Sequence, residues 1–507
     1  MSARHYSSIS TKLRALTLVE EGQRSIREIA NALQIPKSTL HDNLPIYRSD
    51  LARFMDSKQK FDYHLVRNIL IQCFDGKTSS RSCAVTLSRI MDTPISQQTV
   101  LHVLELASET AHVLNNENIS LSAISCAAFD EIFQRQKPIL GFVDPQSAVI
   151  YIKDLGDRSG ETWAAFLKSL QALGLEPNST VTDGGSGLLK GIRAVFSGAV
   201  QLRDLFHVLH KLSKAKRVLE GKCYAMIATE IKLMGPKHSP DMLDDHRTKM
   251  NDALAQFDSI EATIRKLTKA CYFSDDDSPC YVTASALRTI VKQCLRLLNI
   301  ARRTISDHRA IKEAITYLES GLNSISAYKE MIETEVEKIF GPVNSLMVLQ
   351  FICPIIECLD QYRRAYDSKE KQKFWGQKIA VLRAAFRQSS WVEQNEVDRT
   401  ITLVSKLMDE VKKSNSLMEA VNSVIRCHLK TYKSIPRWFC SLFTFYWNNR
   451  KFPRGKRKGM SPIEILSAQR SEFDWVDLLL KTFPFDKLHR SPTPTPQTSL
   501  EEKKPAA

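Results

Sequence analysis

Between residues 124 and 206 the apolar residues leave helical spacing and gather into short runs, a change of period that limits the architecture more than any other feature. Residues 124–130 (ISCAAFD), 139–144 (ILGFVD) and 148–155 (AVIYIKDL) read as strands, because turn-forming residues separate them: 135–138 in one gap, Pro145 and Gln146 in the next. An antiparallel meander is expected. Residues 160–173 return to helical spacing and residues 179–183 (STVTD) form a fourth strand. The glycine-rich turn after Asp183 opens another helix, and residues 200–206 (VQLRDLF) form a fifth strand. The expected order is β-β-β-α-β-α-β, with Asp130 on the first strand and Asp183 at the end of the fourth.

The chain before this block is helical. Residues 10–21 make a short amphipathic helix with Leu13, Leu16, Leu18 and Val19 inward, ending before Gly22. Ser25 and Glu28 have capping-box spacing and start a helix whose inward face is Ile26, Ile29, Ala30 and Leu33. Pro36 interrupts, Ser38 caps a second short helix, and Leu40 and Leu44 point back inward. This is the helix-turn-helix pattern, in which the second helix enters the DNA major groove, so Lys37, Thr39, His41 and Asn43 are expected to face DNA. The pattern repeats in residues 80–90 and 96–106 around the turn Asp92-Thr93-Pro94, with Gln97, Gln98, Thr99 and His102 placed to read base edges. Tandem readers imply a long, bipartite DNA site.

Charge agrees with a polyanionic partner: 71 Lys+Arg against 56 Asp+Glu gives a formal net charge of +15. Residues 450–458 (RKFPRGKRK) concentrate six basic residues in nine, and Arg454, Lys456, Arg457 and Lys458 are expected to grip the phosphate backbone without reading sequence. With 43% hydrophobic residues the chain is not wholly disordered, and 18 Gly and 19 Pro exclude a collagen-like one. Its eleven cysteines are scattered with no C-x-x-C pair, which predicts buried thiols in a reducing compartment. No signal segment and no apolar run near the roughly 18 residues of a membrane span are read, so the expected location is cytoplasmic and nucleoid-associated, without a membrane partner. At roughly 150 residues per domain, about three domains are expected.

AFDEI around Asp130, VTDGGSGL at Asp183, and DLFHVLHKL with Asp204 and His207 resemble the DDE transposases of bacterial insertion sequences, relatives of the retroviral integrases. The resemblance runs from about residue 10 to 466 and implies an RNase H-like fold, whose first and fourth strands lie side by side. Asp130 and Asp183 would then converge although 53 positions apart (183 − 130). The chemistry implied is phosphodiester cleavage and strand transfer with two Mg²⁺ ions, Mn²⁺ being a possible substitute, because hard cations take carboxylate oxygens. Asp204 and His207 match the C/D-x-x-H signature, a supporting feature in such families. Asp144, followed by Pro145, reads as a hairpin turn, and Glu131 points to the face opposite Asp130.

The third acid lies far along the chain. After His210 the strand signal disappears for about 190 residues, replaced by stripes such as Ile260, Ile264, Leu267 and Leu287, Ile290, Val291, Cys294, Leu298, an all-helical insertion. Trp375 and Trp391 lie in it, and in related enzymes an insertion tryptophan can stack on a base beside the cleaved end. Beyond it Glu419, Asn422 and Arg426 share one helical face, with Leu417, Val421 and Val424 on another, ahead of a strongly aromatic helix. Glu419 is therefore taken as the third ligand beside Asp130 and Asp183; Glu410 and Glu396 are its rivals. Asn422 is assigned to orient the glutamate and Arg426 to touch a phosphate.

The expected class is α+β: a helix-turn-helix domain (1–60), a second (61–120), an RNase H-like core in two parts (121–212 and 401–470), an all-helical insertion (213–400), and a C-terminal segment with a disordered tail (471–507). The expected activity is that of a polynucleotidyl transferase acting on double-stranded DNA, at terminal inverted repeats and a target, as a dimer or larger assembly. The alternative is a catalytically inactive, transposase-derived DNA-binding regulator.

Overall fold

The computed structural model describes residues 9–117, 119–235, 239–273, 281–389, 394–411, 415–455 and 457–489. The chain divides into two compact units, residues 1–110 with 473–507, and residues 111–472. Among the described residues it is mostly helical with one five-stranded sheet, an α+β protein.

In the first unit the helices are α1 (Ile9–Glu20), α2 (Ile26–Ala32), α3 (Lys37–Phe74), α4 (Ser80–Ile90) and α5 (Gln97–Glu117), the last running on past the division. The Ser25 hydroxyl accepts from the Glu28 N–H and the Glu28 carboxylate accepts from the Ser25 N–H, the capping box that the spacing predicts. Ala15, Leu16, Ile29, Ala30, Leu40, Leu44 and Tyr47 form one small core between α1, α2 and α3. The second helix is not short: α3 runs for 38 residues through Pro45 and across residue 60, where a domain boundary was expected. Leu40, Leu44 and Tyr47 anchor one end of it in apolar surroundings, and Leu65, Val66, Ile69, Leu70 and Phe74 anchor the other. That burial at both ends outweighs the backbone bond lost at one proline.

The segment after residue 472 belongs to this same unit rather than being only a tail. Trp475, in the short helix Trp475–Leu480, packs edge-on against Phe74 with ring centroids 5.8 Å apart, and His489 Nε2 lies 2.8 Å from Asp62 Oδ2. The tail expected to be disordered begins at His489; His489 itself is held against Asp62, and residues 490–507 lie outside the described residues.

The second unit is built on β1 (Cys126–Gln134), β2 (Lys137–Val143), β3 (Ile150–Asp154), β4 (Ser179–Thr182) and β5 (Val200–Arg203), with α6 (Gly160–Gln171) after β3 and α7 (Ser186–Val195) after β4. The order across the sheet is β3-β2-β1-β4-β5; β2 is antiparallel to both β1 and β3, while β1, β4 and β5 are parallel. The three expected strands of the meander and the two parallel ones are all present, with the fifth ending at Arg203 because Asp204 caps the next helix. Phe129, Phe142, Trp163, Phe166, Leu188 and Ile192 form the core between the sheet and α6 and α7.

Among the described residues seven α-helices follow: α8 (Leu205–Leu233), α9 (Pro240–Ala270), α10 (Ala284–Thr304), α11 (Arg309–Met347), α12 (Cys353–Arg364), α13 (Lys369–Ser389) and α14 (Gln394–Glu410), with a π-helical turn, Val348–Ile352, between α11 and α12. Their expected stripes are buried, Leu287, Val291, Cys294 and Leu298 on α10 among them. α11 breaks at Gly341 (φ +76°) before Pro342. Contrary to expectation, one helical stretch, Arg309–Arg364, is long and apolar enough to cross a membrane, its best window having a mean hydropathy of 1.8 with 39% buried. A core helix meets the same test.

α15 (Ser416–Leu429) then packs on β1 and β2, and α16 (Phe439–Asn449) on β3. Asn448 closes the exposed side of β3: its Oδ1 accepts from the Ile150 N–H at 2.8 Å and its Nδ2 donates to the Ile150 carbonyl at 2.9 Å. α11 packs along β5 at the other edge. Ten cysteines fall among the described residues; eight are buried as expected, Cys440 is half-buried and Cys427 exposed.

Candidate active site

β1 and β4 pair in parallel with Ala128 opposite Val181. Asp130 and Asp183 each follow by two residues, so they lie at the same end of two neighbouring strands. Asp183 comes one residue after the end of β4, in a turn where Gly184 has φ +88°, a conformation that favours glycine. The Gly185 N–H donates to Asp183 Oδ1 at 2.9 Å.

α15 reaches this point because Gly141, the cross-strand partner of Asp130, has no side chain: a Cβ there would lie 2.0 Å from Met418 Cε. Asn415, at the N-terminus of α15, donates to the Phe129 carbonyl at 3.3 Å. About two turns further on, Asn422 is 1% exposed and its Nδ2 donates to Asp130 Oδ2 at 3.0 Å. Asn422 therefore holds the first aspartate, not the glutamate it was expected to orient. Glu419 lies half-buried three residues earlier on the same face.

The electrostatics tie the three acids together. Burial, followed by the charges of Asp183 and Glu419, pushes the Asp130 carboxyl up to about 7, against the opposing Glu131 N–H and His207. Asp204, 1% exposed, caps α8 by accepting from the Phe206 N–H, and its other oxygen lies 2.9 Å from His207 Nδ1. That hydrogen bond to Asp204 raises the His207 pKa, and the charges of Asp204, Asp130 and Asp183 add to it while burial opposes them. The Asp-x-x-His signature is thus a clasp that turns a readily protonated imidazole toward the acids.

The rivals sit elsewhere. Glu131 is held on the other face, accepting from Trp163 Nε1 at 3.1 Å and Arg158 Nη1 at 3.0 Å. Asp144 accepts from the Gln146 and Ser147 N–H groups, a hairpin turn as expected. Glu410 lines a cavity with Ser125, Asn178 and Ser179, at the strand ends opposite Asp183. Glu396 is exposed in the first turn of α14, and Arg426 is exposed in the last turn of α15.

Among the described residues no three His, Cys, Asp or Glu side chains are drawn together as a preassembled metal cluster. The donor set still fits a hard divalent cation: three carboxylates in one field, and the buried Asn422 Oδ1 without a hydrogen-bond partner. Sequence reasoning missed Arg203, whose Nη1 donates to the Asp183 carbonyl at 2.8 Å. Its signal was the one basic residue inside the apolar run read as the fifth strand.

The expected DNA-facing residues divide. Lys37 and His41 are exposed at the start of α3, with Thr39 and Asn43 half-buried beside them. Gln97 and Gln98 are exposed, though Gln97 Nε2 donates to Ser80 Oγ at 3.1 Å. The Thr99 N–H bonds the Ser96 hydroxyl that caps α5, and His102 Nε2 lies 3.2 Å from the Lys487 carbonyl. In the basic loop Arg454 and Lys458 are exposed, and Lys456 lies outside the described residues. Arg457 does not extend to solvent as expected: its Nη2 donates to the Pro145 and Gln146 carbonyls at 2.9 and 2.8 Å, tying the loop to the β2–β3 turn. Trp375 is half-buried on α13, edge-on to Phe374 at 5.1 Å; Trp391 lies outside the described residues.

No family model matches the chain, and no curated protein matches it in sequence.

Proposed function

We propose that this protein is a DDE-type transposase with an RNase H-like core, acting on the terminal inverted repeats of a mobile DNA element. The observation that carries the reading is the placement of three distant acids: Asp130 on β1 and Asp183 just past the end of the neighbouring parallel strand β4, each two residues beyond the Ala128–Val181 pair, with the Glu419 helix tied to Asp130 through Asn422. Strand order β3-β2-β1-β4-β5 supports the fold assignment. The all-helical run from α8 to α14 supports the reading of an insertion between the second and third acids.

Asp130, Asp183 and Glu419 would hold the divalent cations, Mg²⁺ by preference, which when bound activate a water or 3′-hydroxyl and stabilise the leaving oxygen. Asn422 keeps one Asp130 oxygen occupied and so fixes the direction of the other. His207, held by Asp204, lowers the net negative charge of an otherwise repulsive cluster. The α2–α3 unit, with Lys37 and His41 outward, is the better placed of the two readers, and the repeats are the expected duplex partner. Paired ends imply at least two protomers in the DNA complex.

The deciding experiment is Mg²⁺-dependent cleavage of the inverted repeats flanking the gene. Wild-type protein is expected to nick or cut at the repeat ends, and Asp183→Ala and Glu419→Gln to bind the same DNA without cutting it. A wild-type protein that binds the repeats and never cuts them would make this chain the inactive regulator. Unchanged cutting by Asp183→Ala would remove the metal assignment.

A further inference from the structure

Arg203 ends β5 and is 4% exposed, and no ion pair among the described residues includes it. A buried guanidinium without a carboxylate partner is held only where other groups satisfy its charge and donors. Here Nη1 donates to the Asp183 carbonyl at 2.8 Å and Nη2 donates to Ser320 Oγ on α11 at 2.9 Å, while the buried Nε has no hydrogen-bond partner. The cation stands 4.5 Å from the centre of the Tyr317 ring, one turn earlier on α11. Two glycines make its slot. A Cβ on Gly184 would lie 1.0 Å from Nη1, and one on Gly321 would lie 2.7 Å from Nε.

We propose that Arg203 is a positioning residue that locks the turn bearing Asp183 to α11, so that the helical insertion sets where this carboxylate stands. The planar fork supports this role, because its two outer nitrogens donate in fixed, divergent directions to two different elements. A lysine has one nitrogen and cannot hold both. The turn itself carries one other restraint at Asp183, the Gly185 N–H on Oδ1, so releasing the carbonyl frees the backbone that aims the side chain. The consequence for metal binding rests on the transposase reading; the mechanical coupling between α11 and the turn does not.

The test is hydrogen exchange by mass spectrometry on the full chain, with Mn²⁺ titration calorimetry beside it. In Arg203→Gln, exchange is expected to rise at least tenfold in peptides covering residues 183–187 and 317–324 together, with the β1–β2 hairpin unchanged. Ser320→Ala, which leaves Arg203 in place, is expected to raise exchange at 183–187 more weakly, and it decides the matter if Arg203→Gln does not fold. Mn²⁺ affinity is expected to fall at least fivefold in Arg203→Gln and less in Arg203→Lys, with affinity for repeat DNA unchanged. Unchanged exchange at 183–187 in these variants, or a uniform rise across the sheet in Arg203→Gln with Ser320→Ala silent, overturns the proposal. Coupled exchange in a wild-type protein that binds no Mn²⁺ would sustain the coupling and count against the transposase reading instead.

Discussion

The Nδ2 of Asn422 donates to Oδ2 of Asp130 at 3.0 Å, across 292 positions of chain and an entire helical insertion. With the bond from Asn415 to the Phe129 carbonyl, it joins the first strand of the sheet to the helix that carries Glu419. Asn422 is 1% exposed, so its amide has no water to turn to if the aspartate is lost.

Removing that donor is expected to slow cleavage without weakening DNA binding. A charge-assisted hydrogen bond of about 1.5–3 kcal/mol corresponds to a loss of roughly 10- to 150-fold in the single-turnover rate of Asn422→Ala. Asn422→Asp should be worse, because it sets a fourth carboxylate against Asp130. Rates measured at saturating repeat DNA and Mg²⁺ check this; an Asn422→Ala protein as fast as wild type would refute the positioning role.

Asp130 makes the metal-free protein less stable as pH rises. Its carboxyl is raised to about 7 in the folded state, against about 4 when unfolded, so the folded state binds more protons between those values. Stability should therefore decline from about pH 4 to about pH 7 in chelator. His207, also raised, adds stability that is lost as pH climbs through its folded value, so it deepens the same decline at the upper end. Asp130→Asn is expected to flatten the lower part of the profile and to melt above wild type at pH 8 without divalent cations. Urea unfolding across this range reads the slope, and parallel slopes for the two proteins would contradict it.

Two glycine-to-alanine changes within helices should have opposite signs. Gly191 on α7 is where α6 crosses: a Cβ there would lie 2.7 Å from Trp163 Cβ and 3.1 Å from the Ala164 nitrogen. Overpacking of about 1–3 kcal/mol should exceed the roughly 1 kcal/mol gained in helix propensity, so Gly191→Ala destabilises. Gly221 on α8 has nothing within 4 Å of its would-be Cβ, and Gly221→Ala should stabilise by up to about 1 kcal/mol. Denaturant midpoints decide both.

The basic loop makes a prediction about salt. Arg454 and Lys458 are exposed, whereas the Arg457 guanidinium is spent on the Pro145 and Gln146 carbonyls. Arg454→Gln with Lys458→Gln should make the dependence of log affinity on log salt shallower by roughly 1.8, about 0.9 per phosphate contact. Arg457→Gln should lower the melting temperature and leave that slope alone. A double variant with the wild-type slope would place the loop away from DNA.

Much of the fold is legible in the sequence. The Ser25–Glu28 capping box, the five strands with Asp130 and Asp183 where expected, and the stripes of the insertion all depend on residues within a few positions of one another. Local period and cap chemistry do not need the rest of the chain. The choice of Glu419 over Glu410 was different in kind. Both lie on amphipathic helices, and only packing brings the helix of Glu419 against Asp130, through Asn422, while Glu410 faces the far ends of the strands.

The sequence by itself determined the elements, their order and the acids at the strand ends, because hydrophobic period and turn residues act over short range. Tertiary structure alone decided that Pro45 does not end α3, that Asn422 serves Asp130, that Arg457 turns inward, and that Arg203 spans from the Asp183 turn to α11. Each of those outcomes hangs on a contact between residues remote in sequence, or on burial at both ends of one long helix. No window of neighbouring residues contains the partner, and so none can reveal the bond.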